Sequence, residues 1–301
     1  MARNSQLHAV NQAGEGAEPA SAKLFRSIDG RVAPLLTFIQ PNANLQEHYI
    51  FFEYLRHHVD IDVLLLPVVF DDLRETGIRI GLTKALQDPV SNTAISATEV
   101  GLNILNANQD MARPDAKEPE LNGSRSTFQE SSEEVLNGWL EQRSALWAAR
   151  AEIRGQIMNG LYQFRNRFFC ITSQSKRKQI PGRYSLNMKA LETLLRVAQA
   201  EVIPVVIYIV PVRNDVQTPY VESEYVDFKK QVAILAGETE AIFVNLEGLV
   251  PGDLWGSTSD AQGKGEGLDF MHFQEAGHEL LAKALEGKLL ELVRSGKITT
   301  Q

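Results

Sequence analysis

The stretch LDFMHF places Asp269 and His272 three residues apart, just ahead of the helical pattern QEAGHELLAKALEGKLLELV. A carboxylate beside an imidazole fixes the ring tautomer and raises its basicity, leaving the other nitrogen to take a proton from a nucleophile. The alternative without chemistry is an N-terminal cap, in which Asp269 satisfies the first amides of the following helix. A base of this kind needs a hydroxyl or thiol that is near in space, not in sequence. The best candidate is Ser5, in RNSQLHAVNQ at the opposite end of the chain.

The other reactive residue types form no competing centre. Cys170 is the only cysteine, so neither a disulfide framework nor a cysteine-based metal site is expected. Its neighbours Phe168, Phe169 and Ile171 point to a buried thiol. His57 and His58 close a helical pattern, where an imidazolium suits the helix dipole, and they read as surface residues. His48 lies on the same pattern, either toward a substrate or on the helix surface. His278 sits in the C-terminal helix with no accompanying set of metal ligands. A net charge of -8 excludes a general nucleic-acid binder, because phosphate binding needs a basic face. The short basic run Lys176-Arg177-Lys178 is expected to be a solvated loop.

These residues must be held by a scaffold, and its rhythm is visible. With 301 residues, 44% of them hydrophobic, the chain buries a full core. SAKLFRSI reads as a short helix and VAPLLTFIQ as a buried strand, followed by the helical pattern NANLQEHYIFFEYLRHH. IDVLLLPVVF has the unbroken apolar character of a parallel strand buried on both faces, with Pro67 predicting a bulge or an early end. Asp71 and Asp72 follow it, at the sheet edge where open parallel sheets bind ligands.

Between about residues 82 and 185 this rhythm breaks. A polar loop precedes a long helical pattern over 133–169, which Gly155 and Gly160 interrupt, and the segment reads as a helical and loop insertion. Its apolar face suits packing on the core, a lid, a partner surface or a membrane-contacting helix. The rhythm then resumes with the helix LNMKALETLLRVAQAE and the strand VIPVVIYIVP, whose end carries Pro211, Arg213, Asn214 and Asp215. The helix YVESEYVDFKKQVAILAG, the strand AIFVNLEGLV and the Gly-rich loop GDLWGSTSDAQGKGEG lead back to Asp269. The sum is one α/β domain with a doubly wound parallel sheet.

RNSQ around Ser5, PNAN with Asn42 and Asn44 after the second strand, FDD with Asp71 after the third, and DFMH near the C-terminus together resemble the SGNH (GDSL-like) hydrolase superfamily. The resemblance covers nearly the whole chain outside the insertion, and DFMH is its closest block. It implies a flavodoxin-like sheet of about five strands and a triad of Ser5, His272 and Asp269. It further implies an oxyanion hole or substrate site near Asn42, Asn44 and Asp71, with no metal or organic cofactor. Arg3 and Asn4 stand where the family has Gly-Asp, Asn42 stands where it has glycine, and Asp71 replaces a customary asparagine. An ionised carboxylate at that third block opposes developing negative charge, and loss of one oxyanion donor costs about 10²–10³ in rate.

What the resemblance implies is a serine esterase or O-acyltransferase acting on an acylated carbohydrate or cell-envelope glycan. Relatives of this kind often carry an N-terminal membrane anchor and face the outside of the cell, and the 82–185 insertion then reads either as a cover over the acyl-enzyme or as the docking surface for a membrane-bound acyl donor protein. A strand is expected ahead of a nucleophile, and only four residues precede Ser5, so an upstream strand or anchor absent from this chain is an expectation. The rival from another class is a non-catalytic carbohydrate-binding or assembly protein, with Trp255 and Asp253 touching sugar.

Overall fold

The computed structural model describes residues 10–28, 35–37, 43–109, 176–259 and 266–298. At its centre lie β1 (Leu64–Val68) and β2 (Val205–Ile209), with sequences LLLPV and VVIYI, in which every residue is buried. They pair in parallel from Leu64 opposite Val205 to Val68 opposite Ile209, and β2 pairs in parallel with β3 (Ile242–Asn245) on its other side. The strand order is β1-β2-β3. Pro67 stands in register opposite Tyr208 with no bulge, and of the two expected outcomes it is the early end that is seen, β1 stopping one residue later at Val68. Among the described residues β1 pairs on one side only, and a proline is tolerated where no neighbour needs its missing N–H.

Side chains that alternate along these strands feed two apolar cores, one on each face. Leu64, Leu66, Val205, Ile207 and Ile209 pack with α2 (Leu45–Arg56), α6 (Pro181–Ala200) and α7 (Glu222–Glu238). Leu65, Val206 and Tyr208 pack with α1 (Ala20–Ile28) and α8 (Glu275–Arg294). The architecture is therefore mixed helix and sheet, α/β in character, with helices on both faces of a parallel sheet.

Local chemistry sets where the strands begin. After α6, Val202 takes φ +57° and the Ile203 amide donates to Ala198 O; after α7, Glu240 takes φ +57° and Ala241 donates to Ala236 O. These left-handed closures end both helices and turn the chain straight into β2 and β3.

Leu35–Thr37, the described part of the expected strand VAPLLTFIQ, form no strand. Within the expected insertion, α3 (Thr83–Gln87), α4 (Pro89–Ser96) and α5 (Glu99–Ala107) are in place. Asp88 and Thr98 cap the latter two. α3 and α4 pack on α2, and α5 packs on α6. The long helical pattern over 133–169, with Gly155 and Gly160, and Cys170 lie outside the described residues. Among the described residues no helix is long and apolar enough to cross a membrane.

Candidate active site

Within the stretch expected to be a Gly-rich loop, residues 255–259 form a strand instead, while residues 260–265 lie outside the described residues. β4 (Trp255–Ser259) pairs antiparallel with β5 (Glu266–Phe273). Trp255 stands opposite Phe273 and Ser257 opposite Leu268, so two steps along β4 span five along β5 and the surplus loops out as a bulge. In a regular strand, positions 269 and 272 point to opposite faces. The bulge brings them together: His272 Nδ1 lies 3.0 Å from Asp269 Oδ2. Phe273 anchors the far end, edge-on to Trp255 and against His278.

Asp269 does not cap α8, whose N-cap is Gln274. Its Oδ1 accepts from the Met271 amide at 2.8 Å and the His272 amide at 3.0 Å, closing the bulge from inside. Its Oδ2 accepts from Asn11 Nδ2 at 2.7 Å as well as facing the imidazole. Burial alone would raise this carboxyl, but the His272 hydrogen bond and the Met271 amide outweigh it, and Asp269 sits below the usual aspartate range. The Asp269 side chain is 10% exposed and that of His272 31%. Nδ1 is thus engaged, while Nε2 has no partner among the described residues.

Two residues that the motif does not include hold this hairpin. Arg213, buried just beyond the carboxyl end of β2, forks onto Asp215 through Nε at 2.8 Å and Nη2 at 3.0 Å. Its Nη1 donates to Gly256 O at 3.0 Å and reaches Asp269 O at 3.4 Å. The Arg213 bond keeps the Asp215 carboxyl below its ordinary range. Asn11 bridges both arms, adding a bond to Ser257 O at 3.0 Å to the one on Asp269. The run PVRND at a strand end was a visible signal for Arg213; nothing local in AVNQ marks Asn11.

Ser5 and Asn42 lie outside the described residues. Asn44 is the fully buried N-cap of α2: it accepts from the Glu47 amide at 3.0 Å and donates to Gly77 O at 2.7 Å. Asp71, in the 3-10 turn after β1, is held by Arg74 at 3.0 Å, by Arg177 and by the Tyr220 hydroxyl at 3.1 Å. The basic run is a loop exposed at Lys176 and Lys178, as expected, but Arg177 within it is half-buried and tied down. The Arg177 amide and carbonyl bond to Pro219 and Val221, and Lys176 Nζ donates to Thr218 O at 2.6 Å. Asp72 accepts from the Val69 amide at 3.2 Å, and burial pushes its carboxyl well up.

His48 is buried rather than on the helix surface, and lines a small cavity of about 10 Å³ with Phe52, Leu66 and Leu194. His278 is fully buried, and its Nδ1 accepts from the Ala20 amide at 3.0 Å, fastening α8 to the start of α1. His58 faces Asp88 at 3.3 Å, and His57 lies 3.9 Å from Glu53. Trp255 is a core residue donating to Val250 O, while Asp253 is exposed. Among the described residues no cluster of His, Cys, Asp and Glu has the makings of a metal site. No family model, curated protein or solved structure matches this chain.

Proposed function

We propose that this chain is a serine esterase or O-acyltransferase acting on an acylated carbohydrate or cell-envelope glycan outside the cytoplasm. The supporting observation is the Asp269–His272 pair: a carboxylate with both oxygens engaged, bonded to one ring nitrogen of a partly exposed imidazole. In the proposed cycle Ser5 Oγ attacks the acyl carbonyl while His272 Nε2 takes its proton. The bond to the leaving alcohol breaks, and His272 returns the proton to that alcohol. Water or a sugar hydroxyl then releases the acyl group from Ser5 by the same steps in reverse. Asp269 keeps the ring oriented and balances the imidazolium, and the scheme needs no metal or organic cofactor.

The oxyanion falls to the backbone amide of Ser5 with Asn42, since Asn44 serves its helix cap. The same proposal includes a flavodoxin-like sheet of about five strands. In its favour, β1 is buried throughout although it pairs on one side only among the described residues. The insertion would shield the acyl-enzyme from water or dock a membrane-bound acyl donor protein.

A second reading is a non-catalytic carbohydrate-binding or assembly protein. The commitment of Asn44 and Asp71 to structural partners favours it, because neither offers an oxyanion donor. Turnover of a chromogenic acyl ester by the full chain separates the two. Catalysis predicts activity that falls by at least about 10³-fold in His272→Ala. No turnover by the folded chain, together with calorimetric binding of an acylated oligosaccharide, would select the second.

A further inference from the structure

We propose that Asn11 is a positioning residue for the Asp269–His272 pair. It holds the same carboxylate oxygen that faces the imidazole, and the proposal rests on the pair being the acid-base centre described above. Asn11 Nδ2 carries two protons and meets two acceptors, Asp269 Oδ2 at 2.7 Å and Ser257 O at 3.0 Å. Rotating the amide would put its oxygen against both, so the chemistry of the partners fixes its orientation. The Asn11 amide donates to Phe273 O at 3.0 Å, which locks the backbone onto the end of β5. Gln12 then takes φ +52°, uncommon for a residue with a side chain, and its amide group bonds Ser257 Oγ and Gln274.

Gly256 completes the cradle. A Cβ there would overlap the Asn11 carboxamide, so the close approach needs a glycine at that place on β4. Backbone bond, left-handed turn and missing side chain all converge on one contact, between Asn11 Nδ2 and Asp269 Oδ2. That contact acts on chemistry in two ways. It withdraws charge from Oδ2, so the proton between Asp269 and His272 stays on the ring. It also occupies one acceptor direction of Oδ2, leaving the other for the imidazole and stopping the carboxylate from turning away. Aspartate in place of Asn11 would have the same shape and the opposite effect.

The test compares the full chain with Asn11→Ala, Asn11→Asp and Gly256→Ala, the last moving the amide without altering it. The titration of the Asp269 carboxyl is followed by carbon-13 NMR, assigned with Asp269→Asn, alongside kcat and KM on a chromogenic acyl ester. The proposal predicts an upward move of the Asp269 midpoint in every variant, largest in Asn11→Asp. It also predicts a kcat lower by about 10-fold with little change in KM. An unchanged Asp269 midpoint in folded Asn11→Ala would overturn it and reduce Asn11 to an anchor for the chain. If the wild-type chain turns over no ester, the acyl-transfer proposal fails, and the Asp269 midpoint still decides whether Asn11 governs the carboxylate.

Discussion

Replacing Arg213 by methionine should loosen the hairpin by an amount that the contacts define. Methionine keeps most of the apolar stem and removes every donor. Gly256 O loses a bond of 3.0 Å inside the protein, and a buried carbonyl left without a partner costs about 1–3 kcal/mol. The 3.4 Å approach to Asp269 O is long and adds only a fraction. Asp215 is 39% exposed and regains water, so its loss counts as a surface pair of at most about 1 kcal/mol. Release of a buried charge offsets part of the total. The expected loss is about 2–3 kcal/mol, which lowers Tm by roughly 5 °C in a chain of this size. Urea unfolding with an unchanged m-value measures it. Arg213→Lys should recover less than half, since an ammonium cannot fork onto Asp215 and reach the hairpin together. A loss below about 0.5 kcal/mol for Arg213→Met would refute the clamp, because it would mean that the two carbonyls find other donors at no cost.

Two further outcomes follow from neighbouring groups. Asp269 ionises at lower pH folded than unfolded, so its contribution is present above its unfolded value near 4 and is lost as pH falls through the folded one. The part of the stability gap between wild type and Asp269→Asn that comes from the carboxylate should therefore shrink as pH falls below about 4, read from urea midpoints. Asp71→Asn should weaken the grip on Arg74 and Arg177, costing about 1 kcal/mol because both guanidinium groups are partly exposed. If the proposed esterase rate rises in that variant, the Asp71 charge restrains the site; a fall would place Asp71 among its supports.

The strands β1 and β2 were legible because a sheet covered on both faces requires apolar residues at every position. The helices were legible through their periodicity, as in α2, where Leu45, Tyr49 and Phe52 recur toward the core. Asp269 and His272 could be paired from spacing alone, but the means of pairing could not. Spacing suggested a turn, whereas the contact comes from a bulge whose existence depends on how β5 registers against β4. WGSTS looked like loop because glycine and serine mask a short strand that only its partner stabilises. Asn11 was invisible for a different reason: its acceptor lies 258 positions away, and an asparagine in a polar segment has no local pattern to betray such a bond. The Arg177 contact is hidden for the same reason, since its carboxylate partner Asp71 lies 106 positions away.

The central claim is that His272 activates a serine nucleophile. The most direct measurement treats the full chain with a serine-reactive fluorophosphonate probe and locates the adduct by peptide mass spectrometry, with His272→Ala and Asp269→Asn beside it. The account predicts an adduct on Ser5 that His272→Ala abolishes and Asp269→Asn slows strongly. A folded chain that takes no label, or labels equally well without His272, would contradict it.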